Sequence, residues 1–552
     1  MVADHQGGGH QGPVIENAGP AEKHVNKKHQ VVIVGGGPVG VALAVELGLR
    51  GVSCALVERY REPQRIPKGQ NLTQRTLEHF YFWGVVDELR AARVMPPDYP
   101  ISGIIAYGNL MSEYWYAPPQ RELVRPYYFQ ANDRLPQYRM EAVLRKRLAA
   151  LPAVESRFGW AAQTIEQDDN GVRVGIVEHG GSGRQVLEAD YLVGCDGVRS
   201  TVREQVGIGR SGADFDQLMV LAVFRSRELH EGLKRFPARS TYNALHPALK
   251  GYWQFFGRVD VGEGWFFHAP VPADTRTDNY DFHALIRNAA GFAFACEFEH
   301  VGFWNLRVAV AERYQVGRVF IAGDAAHSHP PYGGFGLNNG LEDVTNLGWK
   351  LAAMFHGWGS DALLQSYSEE RRPIFQETGE DFIAGRIASD RAFLDRYSPE
   401  RHREEFEQAW QARETVAGDR ILTYEPHYEG SSVVLGPPNG ACSAHGIHTF
   451  KARAGHHLAP QTLSSGRNVF EELGTGFTLM AFDAEEESVR AFEHAAAALR
   501  VPLKVIRDSY QEGRKAYESS LVLVRPDQFV VWTGDSCPAD AGTLMRKVIG
   551  RG

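Results

Sequence analysis

The stretch "VVIVGGGPVG", residues 31–40, constrains the fold of this chain more than any other feature. Val31–Val34 is a β-branched run of the kind that forms a strand buried on both faces. Gly35, Gly37 and Gly40 follow in a GxGxxG pattern. The first glycine permits a tight turn, the second lets the main chain approach a pyrophosphate, and the third lets a helix pack closely on the strand. The stretch therefore predicts a strand, a glycine loop and a helix at the start of an α/β fold.

An acidic residue lies at the distance that a nucleotide-binding fold requires. A helix is predicted over residues 39–49, and after it the strand "CALVE" ends in Glu58, 18 residues past Gly40. A carboxylate there can accept hydrogen bonds from ribose hydroxyls, which favours an adenosine without a 2′-phosphate. The loop alone leaves three interpretations open. It could be a glycine turn without a ligand, or it could bind NAD or FAD, since both carry ADP.

A second segment, "ADYLVGCDGVRSTVREQVGI" at residues 189–208, again predicts a strand, a turn and a helix. Asp196 follows the strand. Ser200 is placed to cap the short helix, and Glu204 lies near the position that completes a capping box. By itself this segment indicates local structure and no ligand.

A third segment lies at residues 317–354, "GRVFIAGDAAHSHPPYGGFGLNNGLEDVTNLGWKLAAM". Asp324 stands at the carboxyl end of a predicted buried strand, where it can accept a hydroxyl group. A Pro- and Gly-rich loop separates it from a helix with an apolar stripe. The main-chain N–H groups of Gly336, Leu337 and Asn338 at the start of that helix can hold an anion or an electron-rich ring edge.

The three segments together resemble the fingerprints of the FAD-dependent aromatic hydroxylases, the class A flavoprotein monooxygenases with the p-hydroxybenzoate and phenol hydroxylase fold. They match as Gly35–Gly40, Asp196-Gly197 and Gly323-Asp324, and the resemblance covers residues 29–395. It implies an α/β fold with a Rossmann-like FAD-binding domain, an interleaved antiparallel-sheet substrate domain and a C-terminal thioredoxin-like domain. It also implies FAD as cofactor, NADPH or NADH as electron donor and O₂ as co-substrate.

The resemblance implies roles for individual residues. Glu58 would bind the adenosine ribose, and Asp324 the ribityl and pyrophosphate region. Asp196 and Arg199 belong to a segment implicated in binding both FAD and reduced nicotinamide. Lys68 stands where the family often has an arginine that contacts the flavin phosphates. The expected cofactor-binding residues are Gly35, Gly37, Gly40, Glu58, Lys68, Arg75, Gln137, Asp196, Asp324, Gly336, Leu337 and Asn338. For Lys68, Arg75 and Gln137 the alternative is a solvated surface position.

The region between the second and third fingerprints alternates apolar and polar residues, which predicts an antiparallel sheet. In the resembled family such a sheet covers the flavin and forms the substrate pocket. Its aromatic residues are candidate pocket or core residues: Tyr252, Trp253, Phe255, Phe267 and His268. His268 and Tyr252 are candidates for the group that accepts the substrate's phenolic proton. The resemblance places oxygen activation at the loop containing Pro331, so the expected catalytic residues are His268, Tyr252 and Pro331.

The chain divides by pattern into several predicted parts. Residues 1–28 lack an apolar segment and predict a disordered N-terminal extension. The FAD-binding domain is expected over 29–210 and 310–395, with substrate-domain residues interleaved near 95–130, and the substrate sheet over 211–309. Residues 396–440 form a helical linker, and a thioredoxin-like domain without a CxxC pair occupies 441–552. Packing or dimerisation is the expected use of that last domain, which makes a homodimer the expected assembly.

Charge and cysteine content exclude several other classes. The formal net charge of −8, without a basic run, argues against nucleic acid as a partner. The five scattered cysteines predict neither a disulfide framework nor a zinc site, and no other metal-ligand pattern is visible. No apolar stretch of about 20 residues predicts a membrane span. These features favour the cytoplasm and a small-molecule partner.

The function implied by the resemblance is hydroxylation of a phenolic aromatic substrate through a flavin C4a-hydroperoxide by a single-component monooxygenase. The protein would position the reactants and exclude water. Two alternatives remain open. The same scaffold can carry out epoxidation, Baeyer–Villiger insertion or oxidative removal of a ring substituent, because the outcome depends on the pocket. A flavin-binding sensor without turnover is the second alternative, although the segment "GDAAHSHPPYGGFGLNNG" is complete.

Overall fold

The computed structural model describes residues 28–552, apart from the side chains of residues 213–216. The predicted disordered extension falls almost wholly on residues 1–27, outside the described residues. The strands are β1 (His29–Val34), β2 (Cys54–Glu58), β3 (Asn71–Leu72), β4 (Gly103–Tyr107), β5 (Trp115–Tyr116), β6 (Asp133–Arg134), β7 (Val154–Phe158), β8 (Trp160–Asp168), β9 (Gly171–Glu178), β10 (Arg184–Gly194), β11 (Arg210–Arg225), β12 (Thr241–Leu245), β13 (Trp253–Arg258), β14 (Gly264–Val271), β15 (Glu297–Ala311), β16 (Gln315–Val316), β17 (Val319–Ile321), β18 (His327–Ser328), β19 (Tyr424–Tyr428), β20 (Cys442–His445), β21 (Phe477–Phe482), β22 (Leu503–Asp508), β23 (Leu521–Val524) and β24 (Val530–Gly534). The α-helices are α1 (Pro38–Leu49), α2 (Gln74–Phe82), α3 (Val86–Ala91), α4 (Gln137–Ala149), α5 (Thr201–Gln205), α6 (Arg227–Gly232), α7 (Phe282–Ala290), α8 (Phe335–Phe355), α9 (Asp361–Glu377), α10 (Gly385–Arg396), α11 (Arg403–Thr423), α12 (Val469–Glu472), α13 (Glu486–Leu499) and α14 (Ala541–Val548).

The first sheet is Rossmann-like. Its strands run in the order β16-β17-β10-β1-β2-β7, and β1 pairs in parallel with both β2 and β10. Strands β8 and β9 extend β10 as an antiparallel meander. Residues Val31–Ile33 are fully buried, as the β-branched run predicts for a strand covered on both faces. Because β1, β2, β10 and β17 are parallel, the three fingerprint turns meet at one edge of the sheet.

The second sheet has the order β18-β15-β11-β14-β13-β12-β4-β5. Most of its pairs are antiparallel, as the alternating pattern predicts, but β12 pairs with β4 in parallel. Strands β4 and β5 come from residues 103–116, far from the rest of the sheet in sequence. Strand β11 follows β10 and α5 in the chain, and β15 is followed by β16 and β17, so most of the second sheet is inserted between strands of the first.

A long helical run crosses beside the second sheet. Helix α9 continues through a π-helical segment, Thr378–Ala384, into α10. The wider π turn shifts the side-chain register of α10 relative to α9, and such turns occur frequently at functional sites. Helix α11 follows and accounts for the helical part of the predicted linker.

The C-terminal sheet has the order β22-β21-β23-β24, with β21 and β22 parallel and the other pairs antiparallel. Helix α13 connects β21 to β22, and α14 closes the chain. This is the predicted thioredoxin-like arrangement, and it completes the predicted α/β fold class. The five cysteines are all free. Within residues 28–552, no helix combines the length and apolar character needed to cross a bilayer.

Buried charges join this last domain to the first. The turn between β23 and β24 carries Arg525, whose guanidinium binds both carboxylate oxygens of Glu370 on α9 at 2.7 and 2.9 Å. Lys350 on α8 binds the same carboxylate at 2.7 Å. All three side chains are fully buried. Ion pairs excluded from water in this way fix the orientation of the two domains, because separating them would leave the Glu370 carboxylate buried without its cation from the last domain.

Candidate functional site

The glycine loop has one side that is closed and one that is open. A Cβ on Gly35, whose φ is +107°, would lie 2.3 Å from the Cys195 carbonyl oxygen. A Cβ on Gly40 would lie 1.8 Å from the Gly35 carbonyl oxygen. At Gly37, by contrast, a Cβ would meet nothing within 4 Å. The first and third glycines are therefore required by packing within the protein, whereas the second faces space that a ligand can fill.

Glu58 lies directly beside this loop. Its Oε2 accepts a hydrogen bond from the Gly36 amide at 2.7 Å, and its Oε1 accepts one from the Tyr60 amide at 2.8 Å. A carboxylate oxygen can accept more than one hydrogen bond, so these two contacts orient Glu58 without saturating it. The acid predicted from spacing alone is thus held at the edge of the loop.

The second fingerprint supports the helix that follows it. Ser200 caps α5 by accepting from the Arg203 amide at 2.9 Å, which confirms the predicted cap. The Asp196 carboxylate accepts from the Ser200 hydroxyl at 2.5 Å and from the Val202 amide at 3.1 Å. Burial raises the pKa of Asp196. Arg203 donates to the Ala325 carbonyl at 2.9 Å and so ties this segment to the third fingerprint.

Buried ionic contacts hold the third fingerprint in place. Asp343 on α8 accepts from the Gly323 amide at 3.0 Å and bonds His327 Nε2 at 2.6 Å through the same oxygen. Its other oxygen binds Arg371 at 2.8 Å. Because Gly323 is fixed, Asp324 has a defined position. No described residue forms a hydrogen bond with the Asp324 carboxylate, which is exposed in the cleft. The surrounding protein removes part of its hydration and so raises its pKa, and the charges of His327 and Lys68 oppose this shift.

Two glycines shape the start of α8. Gly333 and Gly334 adopt φ values of +74° and +71°, a left-handed pair that only glycine accepts without strain. They turn the chain into α8, whose first N–H groups, including those of Gly336 and Leu337, have no partner within the helix. The side chain of Asn338 is already in use, since it contacts Thr73, Thr76, Asn71 and Gly334. Asn338 therefore fastens the helix start to β3 and α2.

Of the remaining predicted cofactor residues, Gln137 and Lys68 lie near other members of the predicted set, and Arg75 does not. Gln137 is the first residue of α4. Both Gln137 and Leu337 lie next to Gly69, since a Cβ built on Gly69 would contact both side chains and would be 3.3 Å from Gln137 Oε1. Lys68 is exposed and close enough to lower the pKa of Asp324. The structure does not bring Arg75 together with these groups.

All five donors of the Arg75 guanidinium are taken by the protein. They bind Glu342, Glu78, the Gln528 side chain and the Asp527 carbonyl oxygen. Arg75 thereby ties α2 and α8 to the C-terminal domain. A phosphate contact would require one of these buried bonds to break.

A cavity of about 230 Å³ opens beside the Pro331–Gly334 loop. Trp253, Phe255 and His268 line it, as does Pro331. Phe267, one residue from His268 on β14, points to the opposite face and is fully buried in the sheet's apolar core. Side chains alternate along a strand, so only one of the two can reach the cavity.

Tyr252 does not line this cavity. It packs among Met219, Leu306 and Ile387, and the guanidinium of Arg391 lies 5.9 Å from its ring centroid. It therefore lies among packed core side chains behind the cavity wall.

Several cavity residues escaped the sequence analysis. They come from the loop and first residue of α8, from the helical run, and from α11 and the start of β19: Tyr332, Phe335, Phe382, Arg386, Arg420 and Tyr424. Phe382 and Arg386 are four residues apart and share one face of the helical run. Their spacing alone could have flagged them, but nothing in the sequence indicates that this face meets the second sheet.

A further polar cluster was also missed. His427, Glu429 and His456 place ligand-type atoms within 4.8 Å of one another, a grouping that could hold a metal ion. In the structure His456 is hydrogen-bonded on both ring nitrogens, to Glu425 and Glu429, each at 2.8 Å. These bonds tie the loop containing His456 to β19 and the residue after it.

Burial controls the protonation of His268. It lowers the pKa of His268 to about 4, while a main-chain hydrogen bond to Val220 opposes the shift. The indole N–H of Trp304 approaches its Nδ1 at 3.4 Å. At neutral pH His268 is therefore uncharged and a weak base.

We expect this shift to make the protein less stable in mild acid. Between pH 6.5 and about 4 the unfolded chain binds a proton at His268 and the folded chain does not, so stability falls as the pH falls through this window. The loss attributable to this group is about 3 kcal/mol. Denaturant unfolding at pH 7.5 and 5 should show a smaller pH effect in His268→Gln. An equal pH effect in both proteins would argue against a buried, neutral His268.

The geometry defines a dinucleotide-binding α/β protein with an aromatic cavity beside its nucleotide cleft. The sequence matches the FAD binding domain family over residues 28–381 and the C-terminal domain of the aromatic-ring hydroxylases over residues 451–552. The chain belongs to this family of FAD-dependent aromatic-ring monooxygenases, and it is an enzyme of the single-component flavin type.

Relatives and solved structures agree with this assignment. A putative polyketide hydroxylase of Streptomyces halstedii is 31% identical, covering 91% of this chain and 92% of its own. A 4-methyl-5-nitrocatechol 5-monooxygenase of Burkholderia sp is 29% identical, covering 93% and 95%. The crystal structure of aklavinone-11 hydroxylase with FAD and aklavinone has a TM-score of 0.80 at 26% identity, covering 95% of this chain and 100% of that one. RebC with bound 7-carboxy-K252c has a TM-score of 0.81 at 29% identity, covering 95% and 99%.

Proposed function

We propose that this protein uses NADPH or NADH and O₂ to hydroxylate an aromatic compound held in the cavity beside Pro331. The observation that carries the proposal is the position of the cavity. It is lined by Trp253, Phe255 and Phe335, and it opens at the start of α8, beside the Pro331–Gly334 loop of the third fingerprint segment. The relatives named as polyketide and nitrocatechol oxygenases support an aromatic substrate of one to several rings.

The cleft fits FAD in its donor and acceptor groups. Gly37 leaves room for a pyrophosphate, and the free N–H groups at the start of α1 would bind it. Glu58 would accept hydrogen bonds from the adenosine ribose, and the unpaired Asp324 carboxylate from the ribityl chain.

The other predicted residues take more limited roles. The amides of Gly336 and Leu337 would face the pyrimidine edge, with Gln137 and Lys68 at the rim. Asp196 would act by holding α5 in place, and Asn338 by fastening α8. We do not include Arg75, because its five donors are already bound.

When bound, reduced FAD supplies activated oxygen, and the chain provides the surroundings in which that chemistry is selective. Apolar rings on the cavity wall exclude water, which would otherwise destroy the reactive species. Tyr332 accepts a hydrogen bond from the Trp253 amide at 3.2 Å and keeps its own proton, since burial raises its pKa. Tyr332 can therefore donate to a substrate oxygen. His268, neutral and weakly basic, would orient the substrate rather than remove its proton.

The test is anaerobic reduction of the FAD-loaded protein by NADPH and by NADH, followed by absorbance, with a panel of phenols, naphthols and hydroxyanthraquinones. We expect at least one compound to raise the reduction rate by about tenfold or more, and the aerobic product to gain one oxygen atom. A product that has lost a ring substituent or carries an inserted ester oxygen would favour the alternative outcomes on this scaffold. A folded protein that binds no FAD would contradict the proposal, and one that binds FAD without turnover would indicate a sensor.

A further inference from the structure

Three arginines line the aromatic cavity: Arg121, Arg386 and Arg420. They come from separate parts of the chain, namely the segment after β5, helix α10 and helix α11. Among the described residues, Asp133 is the one acid in the cavity lining, and Arg93 already binds it at 2.6 Å. The cavity wall therefore carries three arginines, and the Asp390 carboxylate compensates the charge of Arg386 and Arg420 only in part.

Arg386 places part of this positive charge at a defined point on the cavity wall. Its guanidinium lies 3.8 Å from the centroid of the Trp253 ring, on the cavity wall. No described residue forms a hydrogen bond with it. The nearest carboxylate in its electrostatic surroundings, Asp390, is occupied, because it binds the Trp253 indole N–H at 2.6 Å and also pairs with Arg413. Asp390 thus positions the Trp253 ring under Arg386 and leaves the Arg386 donors facing the cavity.

The other two arginines reinforce the charge. Arg420 forms no hydrogen bond with any described residue. Burial lowers the pKa of Arg386 to about 10; the charge of Asp390 opposes this shift and that of Arg420 adds to it. Arg386 thus stays charged at neutral pH. Arg121 donates to the Gly333 carbonyl at 3.2 Å, which places it at the loop beside the proposed flavin site. An arginine has five donors, so Arg121 also keeps capacity for a ligand.

Arg386 and Arg420 are half-buried, and guanidinium groups held partly out of water without hydrogen-bond partners are stabilised by an anion. A guanidinium stacked on an aromatic ring presents a planar fork that matches a carboxylate bidentately. We propose that the substrate of this cavity is an aromatic carboxylic acid, with its carboxylate bound by Arg386 and Arg420. The proposal rests on the proposed function, since the same cavity would hold the ring that is oxidised. The aromatic wall would select for the ring, and the arginines for the acid.

The test compares matched acids and amides that differ only in charge. The probes are benzoate, 2-naphthoate and anthracene-2-carboxylate, each paired with its primary carboxamide. Binding to the protein is measured by tryptophan fluorescence titration, with and without added FAD. For at least one ring size we expect the acid to bind about tenfold more tightly than the amide, because a charge-assisted bidentate pair replaces a neutral one.

Variants assign the effect to the proposed residues. Arg386→Met and Arg420→Gln should each reduce the acid-to-amide preference to about threefold or less while leaving amide binding within about twofold, since the aromatic wall is kept. Arg396→Gln is the matched control. It lies on the same helix as Arg386 but is exposed and stacks on Tyr397, outside the cavity, so it should keep the full preference.

The proposal is overturned if no acid binds more tightly than its amide at any ring size, including the case in which none binds. It is also overturned if the preference survives in both cavity variants. Either result leaves the proposed function standing when FAD still binds and is reduced by NADPH or NADH. Conversely, loss of FAD binding would end the proposed function while the acid–amide comparison on the FAD-free protein still reports on the arginines.

Discussion

Gly37→Glu should yield a folded protein that no longer binds FAD. A Cβ at Gly37 meets no protein atom within 4 Å, and the residue has a φ of −72°, which any amino acid can adopt. The glutamate side chain would occupy the space proposed for the pyrophosphate and would place a negative charge at the helix N-terminus that binds it. We expect FAD affinity to fall at least about 100-fold, or about 2.7 kcal/mol, when measured by equilibrium dialysis.

A second glycine provides the contrast. Gly40→Ala adds one methyl group, but its Cβ would collide with the Gly35 carbonyl oxygen at 1.8 Å. That variant should lose stability in the absence of FAD, whereas Gly37→Glu should unfold at the same denaturant concentration as the FAD-free parent. If Gly37→Glu keeps its FAD, the cleft beside the glycine loop is not where the pyrophosphate binds.

Glu370→Gln should cost the protein about 3–5 kcal/mol of unfolding free energy. The carboxylate of Glu370 binds Arg525 and Lys350, and Asn346 donates to it at 2.6 Å. An amide carries no negative charge and turns a donor toward these cations. Lys350 would then lose its carboxylate partner, and Arg525 would keep only Asp527, which it binds at 2.6 and 2.9 Å. Because the partners lie on two domains, urea unfolding should also become less cooperative, with the C-terminal domain separating first.

Glu369→Gln is the matched control for this substitution. Glu369 is the preceding residue of the same helix, and it binds Ser432 at an exposed position. The change should cost less than about 1 kcal/mol. A similar, small cost at both positions would show that the buried cluster does not stabilise the domain interface.

The loss of unfolding free energy at low pH should depend on the same cluster of Glu370, Arg525 and Lys350. Burial tends to raise the pKa of Glu370, but the charges of Arg525 and Lys350 outweigh it and hold the pKa far below its ordinary value. The stabilisation is therefore present at neutral pH and is lost only as the pH falls below about 4.3 toward the folded-state pKa.

Local sequence patterns were sufficient to predict the first elements of the nucleotide-binding domain. The β-branched run, the three glycines and the spacing to Glu58 predict a strand, a loop, a helix and an acid. The structure has all four, because each depends on residues within 30 positions of one another. The Ser200 cap was predictable for the same reason. The thioredoxin-like order of the last domain also follows from its own alternation of strands and helices.

Contacts between distant segments were not predictable in this way. Arg75 looked available for a phosphate, yet Glu342 and the Asp527–Gln528 turn occupy it. Tyr252 and His268 were equally good candidates for pocket residues from the sequence. In the structure His268 lines the cavity, whereas Tyr252 packs in the core. The sequence pattern gave no sign that α10 and α11 would bring Arg386 and Arg420 to the second sheet.

The sequence by itself determined the α/β fold, the family and the strand, loop and helix at residues 29–49, because short-range backbone geometry and periodicity encode these features locally. The tertiary structure decided which polar groups are left unpaired. Asp324 and Arg386 are available to ligands, whereas Arg75 and Asp390 are not, and this difference depends on which partners distant segments bring within hydrogen-bonding distance. A buried charge is defined by its neighbours, and in this chain most of those neighbours lie far away in sequence.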